Sequence, residues 1–409
     1  MASRTAQTLV IVGGGLAGAR AAHGARDAGF DGRVVIVGEE DRLPYERPPL
    51  SKAVLRGEAT PASAQVDTPE LYRARDIEVV TGRAVTDLDT RSRRIGLDGG
   101  DGIEFTDAVL ATGAEPRRLD IPGAELDGVH YLRSLDDSVR LGDAIRDAAR
   151  VAVVGAGWIG SEVAASARQI GAEVVLVDPG PTPLHRVLGR RLGDVIAALH
   201  ADHGVELRMG SVVDRIRGTE AVEGVALTDG TIEEADAVLL AVGVVPRVAL
   251  ATAAGLAVDD GITVDAHLRA SVPGVYAAGD VANAWHPRYR RQMRVEHWAN
   301  AMHQGSAAGA NAAGSDVEYD RLPYFFSDQY DLGFEYVGHH EATDELAIRG
   351  HPDDGAFIAF WHSGGVPTAA IAVNTWDVVE DLRRVLLRPG PVDVRRLLDT
   401  GVALNDAAN

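Results

Sequence analysis

No cysteine occurs among the 409 residues. That single absence excludes disulfides, thiolate nucleophiles, paired-cysteine redox centres, cysteine-ligated zinc and protein-bound iron–sulfur clusters. No stretch approaches the roughly 20 uninterrupted apolar residues that a membrane helix needs. The N-terminal run MASRTAQ has neither the apolar stretch nor the small-residue cleavage site of a secretory signal, so a cytoplasmic location is expected. Positive charge is also scarce. Lys and Arg total 40 against 60 Asp and Glu, a formal net charge of −20, which speaks against nucleic acid as a ligand because the phosphate backbone would be repelled. A locally basic patch can still receive an acidic protein, since charges beyond about 8 Å are largely screened at physiological salt. No cluster of metal-ligating residues is evident.

Glycine, by contrast, is plentiful at 46 residues, and its placement is ordered. Residues 8–39 and 150–178 each read as apolar strand, glycine-rich turn, Ala-rich helix, second apolar strand and acidic residue, the pattern of βαβ units on a parallel sheet. A second pairing, Leu110–Pro116 (LATGAEP) and Leu240–Pro246 (LAVGVVP), marks crossings between domains. The expected class is α/β, with two Rossmann-like dinucleotide-binding domains, the second inserted in the first. The first comprises residues 1–112 and 244–318, the second 113–243. From Tyr319 aromatics cluster at Tyr324, Phe325, Phe326, Tyr330, Phe334 and Tyr336, which predicts a C-terminal α+β domain over 319–409.

The first turn is Gly13-Gly-Gly15-Leu16-Ala17-Gly18, and the second is Gly155-Ala-Gly157-Trp158-Ile159-Gly160. In each, the first glycine permits a tight turn, the second lets backbone approach a pyrophosphate, and the third packs helix on strand. The helix start then offers unpaired N–H groups and about half a positive charge to the phosphates. Glu39, with Glu40 as its alternate, ends the second strand of the first unit, and Asp178 that of the second. A carboxylate there accepts from ribose hydroxyls and repels a 2′-phosphate, which favours NADH over NADPH; Arg186 and Arg190 lie close by and weaken that preference.

The segment Val272–Asp280 (VPGVYAAGD) ends a strand in Gly279-Asp280. Asp280 reads either as a helix cap or as a ligand. With both glycine turns it resembles the two-dinucleotide flavoproteins of the glutathione reductase superfamily, in which this Asp holds the flavin ribityl chain. That resemblance gives FAD to the first fold and NADH to the inserted one. Members that pass electrons to disulfides or peroxides use cysteine, so those chemistries are closed here. Arg47-Pro-Pro-Leu-Ser-Lys52, Pro44-Tyr45, Ala84-Val85, Tyr131-Leu-Arg133, Val295–Ala301 (VEHWANA) and Ser327-Asp-Gln-Tyr330 are similar to ferredoxin reductases of the putidaredoxin reductase and biphenyl dioxygenase reductase type. These serve cytochrome P450 and Rieske-type oxygenases.

The resemblance implies FAD contacts from Gly13, Gly15, Leu16, Ala17, Gly18, Glu39, Arg47, Lys52, Val85, Thr112, Gly113, Arg133, Gly279, Asp280 and Trp298. It implies NAD contacts from Gly155, Gly157, Trp158, Ile159, Gly160, Glu162, Asp178 and Gly243. Lys52 and Glu162 are the candidate catalytic residues, expected to pair near flavin N5. There a positive charge would stabilise the electron-rich reduced ring, and the carboxylate would offset it. Trp158 either covers the nicotinamide face of the flavin or simply packs. Hydride from NADH would pass to FAD, and single electrons then to a [2Fe–2S] ferredoxin. The basic run Arg288–Arg294 is a candidate docking place, while Phe326 and the segment Asn374–Asp377 depart from the family pattern. A redox-responsive protein resembling apoptosis-inducing factor, which binds NADH and turns over slowly, is the alternative.

Overall fold

The computed structural model describes residues 7–407; the residues before Gln7, on which the leader expectation rests, and the outermost ends of the first and last expected domains lie outside that range. The chain folds as two compact units. The first holds residues up to Arg47, Ala62–Glu115 and Val244–Arg321. The second holds Pro48–Pro61, Pro116–Gly243 and the chain from Leu322 onward.

Each unit is built on a five-stranded parallel sheet of the same topology. In the first the order is Val275–Ala277, Asp107–Leu110, Thr8–Val12, Arg33–Val37, Ile77–Val80. In the second it is Val129–His130, Ala237–Leu240, Arg150–Val154, Glu173–Asp178, Val205–Met209. The central strands read LVIV, VVIV, VAVV and VVLV and are buried throughout, as a parallel sheet covered on both faces requires. The two sheets differ in where the outer strand comes from. Val275–Ala277 arrives from the returning chain and delivers Gly279-Asp280 to the end of the sheet; Val129–His130 precedes its fold in sequence.

In the first unit, helix Leu16–Asp27 is crossed closely by helix Trp298–Ala312. Glycine makes the approach possible. A Cβ on Gly309 would lie 1.9 Å from the Ala21 carbonyl oxygen, and one on Gly305 would lie 2.4 Å from that of Ala17, distances no side-chain carbon tolerates.

In the second unit the inserted fold and the C-terminal segment share a core. A five-stranded antiparallel sheet, ordered Tyr324–Gln329, Leu332–Gly338, Val366–Val373, Ala356–Ser363, Glu345–His351, packs Phe325, Phe334 and Phe357 against Leu188, Leu192 and Ile196 of helix His185–Asp202. The segment Pro48–Pro61 joins this unit through backbone carbonyls. The Ser138 hydroxyl donates to Leu50 O at 2.7 Å and the Ser166 hydroxyl to Ser51 O at 2.6 Å, while Leu55 is fully buried with Leu141, Ile145 and Val163. Among the described residues no helix is long and apolar enough to cross a membrane.

His200 fastens the C-terminal sheet to helix His185–Asp202. It is fully buried, its Nε2–H donates to Gln329 Oε1 at 3.0 Å, and Tyr330 donates to its Nδ1 at 3.4 Å. Burial pushes its pKa down to about 4 from an ordinary 6.5, the bond to Gln329 opposing only in part. The folded chain therefore keeps this ring neutral while the unfolded chain takes up a proton below about pH 6.5. Stability from this group is complete above about pH 6.5 and is lost as pH falls towards about 4, by about 3 kcal/mol. Denaturant unfolding at pH 7 and pH 4.5 should show this loss, and His200→Asn should flatten it.

Candidate functional site

The first glycine turn sits between the strand Thr8–Val12 and helix Leu16–Asp27. Gly13 has φ 126°, and a Cβ on it would lie 2.1 Å from the Ala111 carbonyl oxygen, so only glycine closes this turn. Around Gly15 the situation is reversed, because a Cβ there would meet nothing within 4 Å. The helix starts at Gly15 with no side-chain cap and no acidic residue in its first turn. Its amides therefore open onto free space, the arrangement a pyrophosphate fits. Leu16 and Ala17 are buried behind the turn, and a Cβ on Gly279 would come within 2.9 Å of the Ala17 Cβ.

Gly279 has φ 79° and donates its N–H to Gln304 Oε1 at 3.0 Å. Gln304 is a buried residue of helix Trp298–Ala312, so this bond sets the turn that carries Asp280. His297 precedes that helix and Trp298 is its first residue; no side chain caps it. Burial pushes the His297 pKa down to about 4, with the Asp280 charge opposing, so the helix start carries a neutral imidazole at neutral pH. Glu39 accepts from Arg247 Nη1 at 2.8 Å, and Glu40 from the Tyr45 hydroxyl at 2.7 Å. Thr112 and Gly113 are tied to the same arginine: the Thr112 hydroxyl donates to Arg247 O, and Arg247 N–H to Gly113 O, both at 2.9 Å. Val85 begins the strand Val85–Asp89, and the Arg47 guanidinium lies 5.5 Å from the centre of the Tyr45 ring.

The second unit repeats the turn. Gly155 has φ 102°, its Cβ would lie 2.3 Å from Ala241 O, and the one on Gly160 would lie 1.8 Å from Gly155 O. Gly157 again faces open space and starts the uncapped helix Trp158–Ile170, with Ile159 exposed beside it. Asp178 accepts from Ala156 N–H at 2.7 Å and Gly180 N–H at 2.6 Å, which presents a fixed carboxylate beside the turn. Gly243, at φ 97°, accepts from Arg117 N–H at 2.9 Å. Arg133 N–H donates to Asp137, whose carboxylate forms a capping box with Ser134 at the start of helix Leu135–Asp147. The Trp158 ring lies edge-on to Phe325 with centroids 4.3 Å apart, and 5.4 Å from Phe334.

Lys52 and Arg133, although expected on FAD, are parts of the second unit, together with the expected NAD residues. There Lys52 meets Glu162. Lys52 Nζ stands 2.7 Å from Glu162 Oε1, and the carboxylate is 5% exposed. Two hydroxyls complete its shell, from serines that lie within the segments 47–52 and 327–330 but were assigned no role in the sequence. Ser327 donates to Oε1 at 2.6 Å and Ser51 to Oε2 at 2.5 Å. An ionised carboxylate, which only accepts, takes all three donors. The Phe326 ring centre lies 6.0 Å from the ammonium.

The basic run is less uniform than its sequence. It forms the hairpin Ala282–His286/Arg291–Arg294, with Tyr289 half-buried and its hydroxyl pushed up to about 12 by desolvation. Arg294 pairs with Glu296 at 2.5 Å and Asp260 at 3.3 Å, while Arg288 and Arg290 are exposed. Tyr324 donates to Glu335 at 2.6 Å, and Trp376 is 57% exposed on the loop after the C-terminal sheet.

Residues 7–305 match the family described as Pyridine nucleotide-disulphide oxidoreductase, and residues 324–408 match Reductase C-terminal. Rhodocoxin reductase of Rhodococcus erythropolis is 34% identical, covering 96% of this chain and 92% of its own. Putidaredoxin reductase of Pseudomonas putida is 33% identical over 97% and 96%. Among solved structures, the ferredoxin reductase for the CYP199A2 system of Rhodopseudomonas palustris superposes with a TM-score of 0.95 at 35% identity, over 98% of this chain and 100% of that one. With two open glycine turns, an acid after the second strand of each fold and a C-terminal sheet all in place, the chain belongs to the pyridine nucleotide-disulphide oxidoreductase family, among its ferredoxin reductases.

Proposed function

We propose that this chain is an NADH-dependent ferredoxin reductase of the cytoplasm, serving a cytochrome P450 or Rieske-type oxygenase. It would bind FAD in the first unit and NADH in the second. The observation that carries this reading is the duplicated cradle: two open glycine turns, each at an uncapped helix start, in a chain without cysteine. Both turns fit a dinucleotide, because the space before Gly15 and Gly157 is what a side chain would have filled. Bound FAD supplies the two-electron to one-electron conversion that the protein's own side chains lack.

The chain's residues then bind, orient and stabilise. The amides at the starts of helices Leu16–Asp27 and Trp158–Ile170 would hold the two pyrophosphates. Asp280, set by the Gly279–Gln304 bond, would take the ribityl hydroxyls. The amides at Trp298 would face the flavin edge on which negative charge collects. Glu39 and Asp178 would accept from the ribose hydroxyls. In the first site Arg247 already occupies Glu39, so binding there exchanges one partner for another. Lys52 would supply positive charge at the reacting edge, held by Glu162. Rhodocoxin reductase, putidaredoxin reductase and a ferredoxin–NAD(+) reductase component of an anthranilate dioxygenase system are named for this chemistry, and a putidaredoxin reductase–putidaredoxin complex shares the fold at a TM-score of 0.93.

Steady-state assays with NADH, a panel of [2Fe–2S] ferredoxins and cytochrome c as reporter should show ferredoxin-dependent reduction well above the rate of the protein alone. Slow NADH oxidation with no stimulation by any ferredoxin would overturn the reading. Asp178→Ala should weaken NADH binding by roughly tenfold, the loss of one or two charge-assisted hydrogen bonds, while FAD stays bound through purification. Loss of flavin from that variant would show that the two sites are exchanged.

A further inference from the structure

Lys52 is the only lysine of the chain; the other 39 of its 40 basic residues are arginine. Apart from histidine contacts, arginine serves the other ion pairs among the described residues, including the double clasp of Arg150 and Arg208 on buried Glu233. At residue 52 the chain uses the other cation, a compact ammonium with three rotatable donors in place of a planar fork. A charge so small has no geometry of its own. Its position is set by whatever holds its acceptor.

That acceptor is held from three directions. Glu162 lies on helix Trp158–Ile170. Ser51 Oγ donates to one of its oxygens, and Ser327 Oγ shares the other with Lys52 Nζ. Both serines are 1% exposed, so no water competes for either hydroxyl. Ser51 is anchored in turn, since its carbonyl accepts from Ser166 on the same helix as Glu162. Ser327 belongs to the outer strand Tyr324–Gln329 of the C-terminal sheet, and the ring of its neighbour Phe326 is centred 6.0 Å from the ammonium. The plane of the carboxylate is thus fixed by hydroxyls 111 and 165 residues away in sequence.

We propose that Ser327 and Ser51 are positioning residues for Lys52. By occupying both oxygens of Glu162 they fix where the chain's one amine presents its charge, and Ser327 makes the C-terminal sheet part of that placement. The proposal rests on the reading of the Lys52–Glu162 pair as the charge at the reacting edge of the flavin.

The single lysine supplies the test. The FAD-loaded full chain labelled with [15N]lysine gives one side-chain ammonium resonance. Ser327→Ala should move that resonance and speed exchange of its protons with water. The same variant should slow NADH-driven flavin reduction by roughly tenfold, the equivalent of one charge-assisted hydrogen bond, with NADH affinity within about twofold. Ser327→Thr, which keeps the hydroxyl on a strand, should restore both readings, and Ser51→Ala should reproduce the loss from the other oxygen. In a Lys52→Met background Ser327→Ala should slow the reaction no further. An unmoved resonance in Ser327→Ala, or an undiminished further loss in the Lys52→Met background, would overturn the proposal. If Lys52→Met alone reduces flavin at the wild-type rate, the underlying reading of the pair fails instead, and the ammonium resonance still decides whether Ser327 positions Lys52.

Discussion

One buried carboxylate organises the second unit. Glu162 is reached by an ammonium and two hydroxyls brought by the segment Pro48–Pro61 and the C-terminal sheet, while it rides on the helix that the second glycine turn opens. A charge at that depth is tolerated only when its acceptor capacity is filled. The three donors therefore act together: losing any one leaves the remainder facing an under-satisfied anion. This makes the shell a constraint on folding as well as on chemistry, because three stretches of chain must arrive before the carboxylate can be buried. The segment Pro48–Pro61 comes to it across a chain that otherwise belongs to the first unit on both sides.

The two cradles show how one local solution is reused with different surroundings. Both close with a glycine at positive φ under a facing carbonyl, and both begin an uncapped helix. Their acids differ. Asp178 is pinned by two main-chain amides, Ala156 and Gly180, and stands fixed before any ligand arrives. Glu39 is longer, more exposed and bound by the side chain of Arg247, so its position depends on a residue from the returning chain. The contrast follows from side-chain length: an aspartate reaches back only to its own turn, whereas a glutamate extends to a partner from the returning chain.

What could be read from the sequence was whatever repeats or sits beside a glycine signature. The paired strands, both turns and the acid after each second strand follow from period and spacing, since backbone geometry there permits few residue types, whereas Asp280 and the helix opening at Trp298 were picked out by the family resemblance. The crossing of Pro48–Pro61 into the second unit has no such signal, because it is held by side-chain hydroxyls on backbone carbonyls, and Ser138 and Ser166 look like any helix serine. Ser51, Ser327, Gln304 and Arg247 were given no role for the same reason: each acts through long-range hydrogen bonds, and such bonds leave no periodic trace. Trp158, open to two readings in sequence, meets Phe325 and Phe334, which lie over 160 residues away and which no local pattern announces.

The close crossing of helices Leu16–Asp27 and Trp298–Ala312 gives the first unit a lever. Gly309 touches backbone at one end of the second helix, and Trp298 presents amides at the other, 11 positions and roughly 16 Å away along the axis. An α-helix is stiff over that length, so the pivot at Gly309 and the amides at Trp298 move as one body. Any residue larger than glycine at the pivot has to tip the rod, and the tip is felt at its start, where the charge of the flavin edge would be met. A methyl group's worth of volume, added less than one turn from the helix's last residue, is thus registered at its first.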